Sequence, residues 1–503
     1  MEVTRRLAQK KAVTYRNDAI IDGDNMKYLK KSCGINYIFI LCMIMYLGDT
    51  LFWEHLPVKI KENCLSLTFN SMMDHMLHGS FDVDPETVGQ EGFLRNGHVY
   101  AYWGIFPALL RLPVIFLPHG LHIDITRLSC AIAAILMFCI NLRSISYITT
   151  RTASTASWVR SLLFVAVAFT GVQICFLCPS LYQEVCLWAL VFGMMFVYWA
   201  LHSCLDPEEA PKALIWMSAA SVGALLTRVS MGIGTYGAET LLGLLVLWRC
   251  WRNTLGAPQA TVRKWLYQCA VAIIILIVGI LLAAGINFER WGNPLTFANY
   301  NLYLFNEQYP DRLIRTEHYG LFNIQRIPLG LIYFFFPLWF IRNGDHLFFQ
   351  DAFTRLIDAA ELPPSSFFLT DGVFLLLGWI FVSSLMKRAL QPRSMMVRTS
   401  SLAIIVGLSV PAILMLMAIS MNYRYRAEFY PLIIFMGFMG AHSISLNNGC
   451  DRKWLKPLCW GLVAIGILTS HVVLILYDVS ELGPATRFLT NGVVSYYRSK
   501  FCI

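Results

Sequence analysis

Apolar runs of about twenty residues recur along this 503-residue chain, and they restrict its fold more than any other feature. Wound as a helix, a run of that length crosses the ~30 Å of hydrocarbon in a bilayer. In lipid every backbone N–H and C=O must be satisfied within the helix or within a closed sheet. The runs are continuous rather than alternating, which excludes a β-barrel. Composition points the same way. Hydrophobic residues make up 57% of the chain and charged residues 14%, where a soluble protein carries about 25% charged. The mean hydropathy is +0.55. An all-α integral membrane protein is expected, a polytopic bundle of transmembrane helices.

Eleven spans are expected, at 34–53, 123–142, 158–178, 185–202, 212–228, 235–250, 266–286, 367–386, 400–420, 428–446 and 457–477. They divide the chain into an N-terminal arm (1–33), a transmembrane domain (34–477) with two large outer loops (54–122 and 287–366), and an outer tail (478–503). Two more apolar segments, 99–118 and 327–341, are broken by Pro107, Pro113 and Pro118 and by Pro328 and Pro337. Charge decides whether they cross. If neither does, four basic groups share a side with the basic arm: Arg143/Arg151/Arg160, Arg249/Arg252/Arg263/Lys264, Lys387/Arg388/Arg393/Arg398 and Arg452/Lys453/Lys456. If both do, the first two groups move outside and acidic 287–325 moves in. The excess of Lys and Arg on cytoplasmic loops favours eleven spans, with the N-terminus inside and the C-terminus outside. The two short segments are then expected as amphipathic helices at the outer interface.

The net charge of +9 resides in these loops and is no sign of nucleic-acid binding. The polar, basic first thirty residues, with no A-x-A site behind them, read against a cleavable signal peptide. Of the 14 Cys, most lie in apolar runs at spacings that fit neither a zinc site nor a disulfide framework. Cys64 and Cys502 stand apart and are given no partner.

The residues able to do chemistry collect on the loops assigned outside. Asp49 ends the first span, where an acid is costly unless it caps a helix or serves a watery site. The first loop carries Asp74, Asp82, Asp84, Glu86 and Glu91. Each can be a solvated loop acid. Together they are candidates for a divalent cation, although D-x-D-x-E lacks the glycine and bidentate glutamate of an EF-hand. Glu184 opens a helix in PSLYQEVCLW, where the dipole alone favours a carboxylate, or it lines a cavity. Arg228 closes a span and either snorkels or meets an anion. In MNYRYRAEFYP, Arg424 and Arg426 flank Tyr425 on the side that disfavours cations. Aromatic stacking with snorkelling is one account, and bidentate binding of phosphate is the other.

Taken in order, these stretches resemble the GT-C superfamily of polytopic glycosyltransferases, which use polyprenyl-phosphate-linked sugars. The similarity is to the bacterial branch related to protein mannosyltransferases and aminoarabinose transferases. It rests on LHGSFDVDP with NGHVYAYWGIFPALLRLP, on SLYQEVCLW, on NFERWGNPLTFANY and on NYRYRAEFYP, over roughly residues 34–440. Here Glu428 replaces the family's usual Asp, and Thr50 replaces the acid that follows Asp49 in the aminoarabinose branch. The resemblance implies a GT-C-like fold, a site on the periplasmic side of a bacterial inner membrane, and a catalytic carboxylate at Asp49, with Asp74 or Asp82 as substitutes. It implies substrate contacts from Glu184, Arg228, Arg290, Tyr423, Arg424, Tyr425 and Arg426. The expected partners are a lipid-linked sugar donor, a glycan or lipid acceptor and the bilayer. No cofactor or nucleic acid is expected.

The implied reaction is a displacement at the anomeric carbon. A carboxylate takes the acceptor's proton, and arginine stabilises the departing phosphate. A transporter or flippase is the alternative of another class. It calls for ionisable residues at mid-membrane, and Glu239 is the clearest candidate. An O-antigen-type polymerase shares the large outer loops but leaves PALLRLP and NYRYRAEFYP without a role.

Overall fold

The computed structural model describes residues 65–151, 157–171, 180–253, 255–336, 342–343, 346–347, 355–360, 366–387, 392–446 and 453–479. The arm 1–33, the expected span 34–53 with Asp49, Cys64 and the tail beyond 479 lie outside the described residues.

The protein is all-α and multi-pass. Helix α1 (Thr68–Leu77) belongs to the first loop. The bundle helices that follow are α2 (Thr126–Thr150), α3 (Ser157–Phe169), α4 (Leu181–Leu205), α5 (Ala210–Thr227), α6 (Val229–Trp251) and α7 (Gln259–Trp291). Two shorter helices, α8 (Pro310–Tyr319) and α9 (Ile327–Phe335), lie in the second loop. Helices α10 (Gly372–Lys387), α11 (Pro392–Met417), α12 (Tyr430–Leu446) and α13 (Leu455–Val479) complete the bundle. Ten of the eleven expected spans fall on these helices. Among the described residues seven helices are long and apolar enough to cross a membrane, and α3, α10 and α12 are shorter apolar helices.

Neither proline-broken segment forms a spanning helix. Residues 99–118 are not one amphipathic helix but a strand end followed by two single turns, Phe106–Leu109 and Leu112–Ile115, with Pro107 and Pro113 in their second positions. Proline suits a helix start and cannot continue one, so each turn is cut short. Helix α9 has nine residues, roughly 14 Å at 1.5 Å per residue, half a bilayer.

Small residues set the helix packing. Helix α6 lies on α11 with Gly234 against Pro411 and Gly407 against the backbone of Ala238, and Gly440 of α12 meets the Leu377 carbonyl of α10. A side chain at any of these glycines would part the helices, as expected where lipid gives no hydrophobic drive between them. Helices α5 and α6 are joined by one extended residue, Arg228 (φ −150°, ψ 113°). The helices alternate in direction, so the bundle has two unlike ends. The basic end, with Arg151, Arg249 and Arg252, carries the links 206–209 and 255–258, with exposed Trp248, Trp251 and Trp454, as an interfacial belt does. The other end carries every long loop, and the candidate site.

Candidate active site

The first loop is organised by a hairpin. Strands β1 (Phe93–Arg95) and β2 (His98–Tyr100) pair antiparallel, Phe93 opposite Tyr100 and Arg95 opposite His98. Asn96 (φ 53°) and Gly97 (φ 83°) form the turn, and Asn-Gly tolerates left-handed backbone at both positions. Val83 N–H donates to the Val99 carbonyl at 2.8 Å, which lays Asp82 beside the strand. His75 Nδ1 lies 2.7 Å from Asp82 Oδ1 and His98 Nδ1 lies 2.6 Å from Oδ2, while the Ser80 hydroxyl donates to Oδ1. Burial works against the Asp82 anion, but these donors outweigh it and hold the carboxyl at about 2. Burial also opposes the His75 cation. Because its Nε2 faces Asp84 at 3.4 Å, both ring nitrogens meet carboxylates and its pKa is raised. Asp82, proposed from sequence as a substitute base, is thus held by three donors and anchors the loop. Asp74 lies half-exposed on α1, 3.9 Å from His78.

Three of the expected substrate contacts are enclosed in ion pairs. Glu184 is fully buried in the first turn of α4. It takes both terminal nitrogens of Arg111, Nη2 to Oε2 at 2.8 Å, together with the Ser129 hydroxyl. It therefore faces the protein interior, not a cavity, because no oxygen is left over. Arg426 is likewise buried, 2.7 Å from Asp371 Oδ2 and 2.6 Å from the Tyr423 hydroxyl, with its plane 4.0 Å from the Phe367 ring. Tyr423 is thereby enclosed as well, and its hydroxyl is pushed up to about 12, chiefly by burial. Arg228 pairs with buried Glu428, which also accepts from Ser230 at 2.7 Å.

Arg424 and Tyr425 remain partly exposed. The Arg424 guanidinium sits 4.5 Å from the Tyr182 ring and 5.5 Å from Tyr425, whose ring also lies 5.0 Å from Arg228. Tyr182 carries the site across to the first loop, because its hydroxyl lies against the Glu91 carboxylate. Tyr303, from the second loop, donates to Glu91 Oε2 at 2.6 Å. Burial, then the Glu91 charge, raises the Tyr303 hydroxyl well above its ordinary value, so it stays a donor. Arg312 of α8 stands 5.0 Å from the Tyr303 ring and 2.6 Å from Asp358, with an N–H that does not point at the oxygen.

Arg290, in the last turn of α7, is buried. It donates to the Trp103 carbonyl at 2.9 Å and lies over Phe81 at 6.0 Å. Among the described residues no carboxylate pairs with it, and its Nε has no partner. Arg326 is fully buried and holds four backbone carbonyls, those of Leu356, Leu321, Met417 and Gly320. It joins the second loop to the end of α11, where Ala359–Ala360 pairs in parallel with Ser420–Met421.

The four stretches singled out in the sequence thus meet at one end. Arg111 of PALLRLP binds Glu184 of SLYQEVCLW, Arg290 of NFERWGNP binds the first loop at Trp103, and Tyr182 stacks on Arg424 of NYRYRAEFYP. Sequence reasoning missed Arg111, Asp371, Tyr303, Arg312 and Arg326. A lone charge in an apolar stretch was the available signal for the first two, and Asn96-Gly97 signalled the hairpin. Among the described residues no group of three metal-ligating side chains is arranged around an ion site. Glu239 is bound by the hydroxyls of Ser218 and Ser221, and Ser218 also donates to the Ala272 carbonyl at 3.0 Å. The carboxylate so joins α5, α6 and α7 beside an apolar cleft of about 250 Å³.

No family model matches the chain, and no curated protein matches its sequence. Among solved structures, it is similar to the archaeal oligosaccharyltransferase AglB from Archaeoglobus fulgidus in complex with an inhibitory peptide and a dolichol-phosphate, at 11% identity and a TM-score of 0.44. It is also similar to the apo form of the Archaeoglobus fulgidus oligosaccharyltransferase, at 12% identity and a TM-score of 0.43. Each match covers 90% of this chain and 57% of the other, so the chain spans little more than half the length of either.

Proposed function

We propose that this protein is a membrane glycosyltransferase of GT-C type. It moves a sugar from a polyprenyl-phosphate-linked donor to a glycan or lipid acceptor, at the end of the bundle away from the basic loops, facing the periplasm of a bacterial inner membrane. One observation carries the reading: Arg424 and Glu91 occupy the face and the hydroxyl of a single ring, Tyr182. A cation suited to phosphate and a carboxylate suited to hydroxyls are thereby fixed at one spot where both long loops meet the bundle. The convergence of the four family-like stretches supports the same conclusion.

In this reading the Arg424 fork spreads the charge growing on the leaving phosphate, and Asp49 takes the proton of the attacking hydroxyl. A single displacement inverts the anomeric centre. The test is transfer from radiolabelled polyprenyl-phosphate sugars by purified protein. Arg424→Lys, a point charge in place of a fork, is expected to lose most turnover at normal expression. Asp49→Asn is expected to lose ~10²–10⁴-fold, the usual worth of a general base. Unchanged turnover in the lysine variant would refute phosphate binding there. Turnover of Asp49→Asn within about threefold of wild type would remove Asp49 as base, because Asn caps a helix about as well as Asp.

A further inference from the structure

We propose that Glu91, with the hydroxyls of Tyr182 and Tyr303, grips the hydroxyls of one sugar ring whose phosphate lies on Arg424. The inference rests on the lipid-phosphate-sugar reading above and names what that site selects.

Glu91 ends a tight turn, Gly89–Glu91, immediately before β1. It is partly exposed; Tyr303 of the second loop donates to it at 2.6 Å, and the Tyr182 hydroxyl of α4 lies against it. An ionised carboxylate offers about four acceptor positions, so two tyrosines orient it without exhausting it. The tyrosine hydroxyls, each with an acceptor lone pair to spare, extend the same polar edge. Around it stand further aromatic rings. Tyr102 and Tyr300 lie edge-on to Phe93 at 5.7 and 5.6 Å, and Phe93 stacks on Tyr303 at 4.7 Å.

Charge narrows the ligand class. Arg228 is answered by Glu428 and Arg312 by Asp358. A cationic ligand would meet the Arg424 guanidinium, and a wholly anionic one would meet Glu91. A ligand anionic at one end and neutral and hydroxyl-rich at the other meets a complementary group at both. Length narrows it again. The 4.5 Å between Arg424 and the Tyr182 centroid, half a tyrosine ring and one hydrogen bond place the carboxylate at most about 10 Å from the guanidinium. That interval accommodates a phosphate and a single sugar ring, not a longer glycan. Flat apolar sugar faces suit the tyrosine rings, and ring hydroxyls suit the carboxylate, the usual division of labour in a small-molecule site.

The test uses the full-length protein in detergent, titrated with a short-chain polyprenyl phosphate and with its glucosyl, mannosyl and arabinosyl esters. Binding is followed by tryptophan fluorescence, since Trp103 lies 5.7 Å from the Tyr182 ring. At least one ester is expected to bind about tenfold or more tighter than the bare phosphate, the scale of hydrogen bonds to a charged group. Glu91→Gln should erase that advantage without weakening the binding of bare phosphate, and Tyr303→Phe should reduce it. If no ester outbinds the bare phosphate, or if Glu91→Gln keeps the preference, the proposal is overturned. Failure of the bare phosphate to bind, with Arg424→Lys indifferent, strikes instead at the lipid-phosphate reading beneath it. Should Glu91→Gln fail to fold, monodeoxy esters on the wild-type protein decide. Loss of the advantage at one or two ring positions supports the assignment, and equal binding of every deoxy ester refutes it.

Discussion

Six of the arginines described at the site end differ in what they touch, and that separates their roles. Arg111 and Arg426 are sealed against Glu184 and Asp371, and Arg228 is tied to Glu428. Arg326 binds only carbonyls, Arg290 a carbonyl and a methionine sulfur, and Arg424 lies on tyrosine rings. The sequence marks these positions because guanidinium groups beside apolar runs are rare. It does not reveal which are spent, because the partners lie 73, 55 and 200 positions away along the chain. Removing one partner of a buried pair strands the other and costs about 3–5 kcal/mol. Glu184→Gln is therefore expected to lower the melting temperature and yield sharply, while the folded fraction keeps its turnover per molecule. Thermal unfolding in detergent, with activity normalised to folded protein, checks it. A stable variant that had lost turnover would return Glu184 to the substrate.

At the scale of elements, helices were legible and loops were not. A span is fixed by its own twenty residues, whereas the first loop is held by contacts whose partners the sequence does not pair. Acids that read as a crowd in 74–91 resolve into separate duties. Asp82 binds His75 and His98, Asp84 accepts from Ser71 at 2.8 Å, and Glu91 belongs to the tyrosines. The Asp82–His75 tether gives the loop a pH dependence. Asp82 is held at about 2, below its ordinary 3.8, so its contribution is complete above 3.8 and is lost as pH falls toward 2. His75 is raised above 6.5, so its contribution is complete below 6.5 and is lost as pH rises through the raised value. Amide hydrogen exchange across residues 68–100 should be slowest, relative to intrinsic rates, between 3.8 and 6.5. Asp82→Asn should flatten the profile. An unchanged profile in that variant would locate the dependence elsewhere.

Across the whole molecule, alternating helices give the bundle two ends of opposite character, and orientation follows from charge. One end holds the basic clusters and the exposed tryptophans. The other holds both long loops, the buried ion pairs and Arg424. Helix α7 offers the cleanest measure of which end faces the cytoplasm. Its 33 residues extend roughly 50 Å at 1.5 Å per residue, against a hydrocarbon core of ~30 Å. Both of its ends therefore stand clear of the core, and the residues just beyond them are open to reagents. Leu255 precedes it at the basic end, and Leu295, 83% exposed, follows it at the site end. The excess of Lys and Arg on one end predicts that this end faces the cytoplasm. In intact cells a membrane-impermeant maleimide should label Leu295→Cys and leave Leu255→Cys unlabelled until the membrane is opened, with the parent protein as control for its own cysteines. Both sites labelling from one side would contradict the alternation of helices. Labelling of Leu255→Cys alone from outside would invert the protein and carry Arg424, Glu91 and the proposed site to the cytoplasmic face.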